Sequence, residues 1–164
     1  MYMIIVSFDS GLERTGYSVF SKGDGEPDLI TYGCIFTKKS DSLQKRLLEL
    51  QEKTEEIIKE HKPDSFALEK LFFNKNITTG ISVAQSQGAI IALAGKHDIE
   101  LTFVTPQEIK MSLTGDGRAD KKSIQKMVKI LLNLEEVPKP DDTADAIACG
   151  LTYCTMMSFN DRKT

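Results

Sequence analysis

Two short apolar runs, each closed by a carboxylate, constrain this chain more than any other feature. Met3-Ile4-Ile5-Val6-Ser7-Phe8 ends on Asp9, and Ser65-Phe66-Ala67-Leu68 ends on Glu69. Runs this short and this apolar read as buried strands, which need helices above and below the sheet. Ligand sites in open α/β sheets gather at the carboxyl ends of strands, where both acids fall. A late helix adds Asp142 and Asp145, three residues apart at its start and so on one face. Four carboxylates converging on one point would make a dense negative pocket, costly unless cations neutralise it. Two Mg²⁺ ions would do so, and a pair of such ions cuts phosphodiesters.

Turn signals and periodicity supply the frame. Strands are expected at about 3–9, 16–21 and 29–37. They are joined by Ser10-Gly11 and by Lys22-Gly23-Asp24-Gly25 with Pro27, short connections that make an antiparallel meander. Leu43, Leu47, Leu50 and Ile57 recur at three- and four-residue steps and predict a helix over about 41–61, stopped by Lys62-Pro63-Asp64. A strand at about 64–69, a small-residue helix at about 78–96 and a strand at about 100–104 follow. Thr105-Pro106-Gln107-Glu108 is a well-formed helix start: Thr as cap, Pro at the first position, Glu at the third. Gly115-Asp116-Gly117 ends that helix, and two more are expected at about 119–133 and 142–157, separated by a loop at 135–140. The class is α/β: a five-stranded mixed sheet, three antiparallel strands then two parallel, flanked by helices on both faces. No repeat or linker divides the chain, so residues 1–164 read as a single domain.

The formal net charge of −3 argues weakly against a nucleic-acid partner, since such domains are usually basic. Distribution matters more than the sum. Between Lys110 and Lys129, six basic residues (Lys110, Arg118, Lys121, Lys122, Lys126, Lys129) face only two acids, Asp116 and Asp120. By itself a basic helix is a solvated face; beside an acidic metal pocket it becomes a candidate DNA surface. Apolar stretches fall far short of a membrane span, and no basic region precedes the first one, so neither a membrane anchor nor a signal peptide is expected. Cys34, Cys149 and Cys154 lack metal-type spacing and read as reduced thiols of a cytoplasmic protein. His61 and His97 have no ligand-like neighbours in the sequence.

Each feature has a plainer reading. An Asp at a strand end is more often a turn residue, and Asp141, Asp142 and Thr143 suit a helix cap. Glu69 is harder to dismiss, because a charge directly after Phe66-Ala67-Leu68 is rim-buried and wants a partner. In Leu71-Phe72-Phe73-Asn74-Lys75-Asn76 the rings are either core or, for one of them, a base-stacking probe worth roughly 1–3 kcal/mol. Gly115-Asp116-Gly117 before Lys121-Lys122-Ser123 does not match the spacing of a nucleotide-binding phosphate loop. Asp9-Ser10-Gly11 with Thr15-Gly16 suits the phosphate loop of an actin-like ATPase, but the signal is short.

Several motifs in register carry a stronger likeness. Phe8-Asp9-Ser10-Gly11-Leu12 through Thr15-Gly16-Tyr17, then Leu68-Glu69 with Phe72 and Lys75-Asn76, then Gln85, Gly88, Lys110 and Thr114-Gly115, and finally Pro138-Lys139-Pro140-Asp141-Asp142-Thr143-Ala144-Asp145-Ala146 all appear in order. Together they cover nearly the whole chain, which resembles a divergent member of the RuvC-type Holliday-junction resolvases. The resemblance implies an RNase H-like fold, a homodimer and Mg²⁺-dependent paired nicking of four-way DNA junctions, with Mn²⁺ as a substitute metal. It implies catalytic acids at Asp9, Glu69, Asp142 and Asp145, which hold two ions, and Lys121 at the scissile phosphate. It places DNA contacts at Lys110 and Lys121 and the base-probing aromatic at Phe72; the loop adds Phe73, Lys75 and Asn76, and the basic segment adds Arg118 and Lys122, as candidate DNA contacts. A branch-migration helicase is a possible partner, but it is not readable from the sequence. Departures from the family pattern are Ser10 in place of Pro, Ser7-Phe8 in place of a Gly-Ile-like pair, and Gln87 in place of a basic residue. They bear on substrate grip rather than on the metal site. The acids alone do not separate a junction resolvase from a flap or fork nuclease, or from a non-catalytic branched-DNA binding protein.

Overall fold

The computed structural model describes residues 2–71 and 77–161. Strands β1 (Met3–Asp9), β2 (Arg14–Lys22) and β3 (Asp28–Phe36) form the meander; helix α1 (Leu43–His61) leads to β4 (Ser65–Glu69), α2 (Ile77–Lys96) and β5 (Glu100–Val104). Three helices close the chain: α3 (Pro106–Thr114), α4 (Lys121–Leu131) and α5 (Asp141–Asp161). The sheet order is β3-β2-β1-β4-β5, antiparallel within the meander and parallel from β1 to β4 to β5. This is the five-stranded mixed sheet that the sequence implied.

Alternation along the central strands divides the core in two. Val6, Phe8, Phe66 and Leu68 face one side, where they pack with Leu50, Ile57 and Ile58 of α1 and Ile90 and Leu93 of α2. Ile5 and Ala67 face the other, against Ile109 and Leu113 of α3, Val128 of α4 and Ile147, Ala148 and Leu151 of α5. Asp9 and Glu69 continue the second series, so both carboxylates leave the sheet on the α5 side.

Element ends differ from the sequence reading by a few residues, each for a local reason. β2 begins at Arg14 rather than 16, because Arg14 and Thr15 pair with Phe36 and Ile35 and extend the ladder by two residues. α1 begins at Leu43 rather than 41, since Ser42 is still extended. α4 runs from 121 to 131 rather than 119 to 133; Asp120 caps it by accepting from the Ser123 backbone at 2.8 Å. The capping box expected at Thr105 and Glu108 is present in full.

α5 lies unusually close to the sheet. A Cβ on Gly150 would fall 2.5 Å from Ser7 Oγ and 2.7 Å from the Phe20 ring. A Cβ on Gly16 would fall 1.9 Å from the Asp142 carbonyl oxygen. Two glycines, one on each partner, permit that approach. Buried Ser7 then donates to the Ala146 carbonyl at 2.7 Å, and Ser18 shares the contact.

Candidate active site

Register brings the first two acids together. Phe8 of β1 stands opposite Leu68 of β4, so Asp9 and Glu69 come next on neighbouring parallel strands and face the same side. α5 supplies the other pair. Its first turn rests on β2 through Gly16, the Thr143 hydroxyl donates to the Gly33 carbonyl at 3.3 Å, and Ser7 holds the Ala146 carbonyl. Asp142 and Asp145 therefore project over the ends of β1 and β4 from a helix held to the sheet at several points.

The electrostatics show how tightly the four acids interact. Burial, then the charges of Asp145, Glu69 and Asp142, lift the Asp9 carboxyl from its ordinary 3.8 to about 8, with Lys121 opposing. Glu69 is raised by burial and by Asp145, again against Lys121. Asp145 is raised by burial despite its hydrogen bond to Lys121. For Lys121, burial works against the ammonium, but the hydrogen bond and charge of Asp145, with Asp141, outweigh it and the pKa rises. Metal-free, this cluster resists its own ionisation.

Two internal cations take up part of the charge. Lys121 Nζ lies 2.8 Å from Asp145 Oδ2 and 3.4 Å from Asp141 Oδ2. Arg14 Nε lies 3.0 Å from Asp142 Oδ2. Among the described residues, no group of three or more His, Cys, Asp or Glu is gathered closely enough to form a metal cage. The donor set nonetheless fits a hard divalent cation: oxygen ligands, net negative charge, and a buried Asp142 Oδ2 without an aligned hydrogen bond.

A cavity of about 290 Å³ opens beside Asp9 and Glu69 and reaches Ser10 and Gln87; a second, of about 140 Å³, lies between Glu69, Asp145 and Lys110. The structure thus brings Asp9, Glu69, Asp142, Asp145, Lys121 and Lys110 to one place. Arg118 and Lys122 are exposed, before and in the first turn of α4. Phe72, Phe73, Lys75 and Asn76 lie outside the described residues. Three contributors escaped the sequence reading. Arg14 had no motif to mark it. Ser7 was visible as a polar residue inside an apolar strand. Gln87, seen only as a departure from the family pattern, is buried and donates to the Glu69 carbonyl at 2.7 Å, which fixes the strand end that carries that acid.

A family model described as crossover junction endodeoxyribonuclease RuvC matches residues 5–153. Curated relatives carry the same description. The one from Pseudothermotoga lettingae is 42% identical over 160 residues, 98% of this chain and 99% of the relative. That from Petrotoga mobilis is 45% identical over 151 residues, 92% of this chain and 93% of the relative. Among solved structures, the RuvC of T. thermophilus in complex with Holliday junction substrate superposes with a TM-score of 0.89 at 25% identity, covering 96% of both chains. The T. thermophilus RuvC structure itself matches with a TM-score of 0.85 at 26% identity, over 95% of this chain and 98% of the other.

Proposed function

The chain belongs to the RuvC family of crossover junction endodeoxyribonucleases, metal-dependent enzymes, and from that premise we propose that Asp9, Glu69, Asp142 and Asp145 are its catalytic acids. It resolves four-way DNA junctions by paired, symmetric nicks that leave 5′-phosphate and 3′-hydroxyl ends. The observation that carries the assignment is the convergence of the four acids, two at the ends of neighbouring parallel strands and two in the first turns of α5, where burial and mutual charge raise Asp9, Glu69 and Asp145. Mg²⁺, two ions per site with Mn²⁺ as a substitute, is the cation in this reading. When bound it supplies charge neutralisation at the phosphodiester and a lowered cost of generating the attacking hydroxide.

The chain's own residues do the rest. Asp9, beside the strand-borne Glu69 and the helix-borne pair, would hold the metal together with Glu69, Asp142 and Asp145. Ser7, Ser18 and Gln87 keep the strand and helix ends from moving apart. Lys121 offers an ammonium to the scissile phosphate and to charge developing there, and Lys110 holds the neighbouring backbone. Arg118 and Lys122 extend the basic track, while Phe72 or Phe73 probes the bases, with Lys75 and Asn76 on the backbone. A junction presents two equivalent strands, so a C₂ homodimer is the matching assembly. In this reading the enzyme works in the cytoplasm, and a branch-migration helicase is a possible partner that nothing in the chain specifies.

The test is cleavage of a labelled synthetic four-way junction in Mg²⁺, beside flap, fork and linear duplex, with Asp9→Asn as control. Paired nicks at the junction, lost in Asp9→Asn while binding persists, are expected. Equal cutting of flaps and forks would make the enzyme a general branched-DNA nuclease, and an active Asp9→Asn protein would remove the acids from the mechanism.

A further inference from the structure

The proposed function leaves Arg14 without a task, although its guanidinium sits among the catalytic acids. Nε approaches Asp142 Oδ2 to 3.0 Å, yet the side chain remains 49% exposed. The oxygen it neutralises is buried and makes no aligned hydrogen bond among the described residues. The pair is therefore held by charge rather than by a directed bond. Lys121 differs, because its contact with Asp145 is a hydrogen bond.

The two partners of the Arg14–Asp142 pair are held differently. The Asp142 backbone is seated on Gly16, and the next residue is tied to Gly33. Among the described residues, Arg14 has no side-chain hydrogen bond beyond this pair; its backbone sits in β2, opposite Phe36, which is itself 58% exposed. Its long side chain thus lies along the solvent side of the site, free to turn outward.

We propose that Arg14 is an exchangeable counter-ion, which neutralises Asp142 in the metal-free protein and passes to a DNA phosphate when a divalent cation takes that carboxylate. The inference rests on the reading of the four acids as metal ligands. A cation and a guanidinium cannot both sit at contact distance from one carboxylate oxygen without strong mutual repulsion in a partly dry site. The displaced group is suited to its new partner, since a guanidinium matches phosphate geometry with paired N–H donors. Metal and DNA binding are then coupled through Arg14, and by linkage each tightens the other by the same factor. The metal-free protein keeps its charge turned inward and grips DNA less.

The experiment uses the full chain, with Arg14→Gln to remove the charge and Arg14→Lys to keep it. Mn²⁺ is titrated calorimetrically without DNA. Arg14→Gln is expected to bind Mn²⁺ about fivefold more tightly than wild type, because the competing cation is gone. Binding to a four-way junction is then followed against KCl, in Ca²⁺ and in EDTA. In Ca²⁺ the slope of log K against log salt is expected to fall by about one phosphate contact in Arg14→Gln and to be retained in Arg14→Lys. In EDTA the wild-type and Arg14→Gln slopes should coincide. Equal Mn²⁺ affinities overturn the exchange, and equal salt slopes in Ca²⁺ overturn the transfer to phosphate. Asp9→Asn separates the inference from its premise: if that variant binds Mn²⁺ as wild type does, the ligand reading of the acids fails, whatever Arg14 does.

Discussion

Asp9 carries the heaviest electrostatic burden in the molecule, and its consequence for stability has a definite sign. Its carboxyl is raised from 3.8 to about 8 in the folded, metal-free chain. Between those values the folded state binds more protons than the unfolded one, so stability falls as pH rises from about 4 to 8. Removing the charge reverses this. Metal-free Asp9→Asn should melt several degrees above wild type at pH 8, and the difference should vanish near pH 4. Thermal melts in EDTA across that range check it; a wild-type advantage at pH 8 would mean that Asp9 is not strained. Added Mg²⁺ should stabilise wild type at pH 8 and leave Asp9→Asn unmoved, because ligand binding to the folded state is what stabilises. The positions of the four candidate acids, at two strand ends and one helix start, were legible in the sequence. The partners that neutralise them, Arg14 and Lys121, were not equally legible. Lys121 came from the family likeness, whereas the closeness of Arg14 to Asp142 spans well over a hundred residues of chain and leaves no local trace.

At the scale of elements, α5 is the part on which the site depends. Small residues along its sheet-facing side, Ala146, Cys149 and Gly150, let it approach within hydrogen-bond reach of Ser7. Gly150→Ala should cost roughly 1–3 kcal/mol through overpacking against Ser7 and Phe20, and should lower nicking by shifting Asp142 and Asp145. Gly95, in α2, has open space around its Cβ position, so Gly95→Ala should stabilise by about 0.5–1 kcal/mol through helix propensity alone. Melting both variants in denaturant distinguishes a steric role from a conformational one, and equal effects at the two positions would refute the close seat of α5. Periodicity located every helix and strand to within a few residues. It placed the start of β2 two residues late, because Arg14 and Thr15 carry no apolar alternation of their own and join the ladder only by pairing with Phe36 and Ile35. That information sits on another strand.

For the whole molecule, symmetry of the substrate sets the expectation. The chain should sediment as a dimer at micromolar concentration, with α2 as the candidate interface, where Ile81 stands 52% exposed. Ile81→Asp should shift the dimer toward monomer and uncouple the two nicks, as sedimentation and strand mapping would report; a monomer that still cuts in pairs would refute the assembly. No helix of the described residues is long and apolar enough to cross a membrane. What the sequence determined by itself was the order of elements, the mixed sheet and the four carboxylates, because these follow from local periodicity, turn chemistry and position at strand ends. What only the tertiary structure decided was where the charges go. Parity of the pleat turned Asp9 and Glu69 toward α5, and two glycines allowed that helix to bring Asp142 within reach of Arg14. Such neutralisation depends on distances between residues far apart in the chain, and Coulomb energy follows those distances rather than the order of residues.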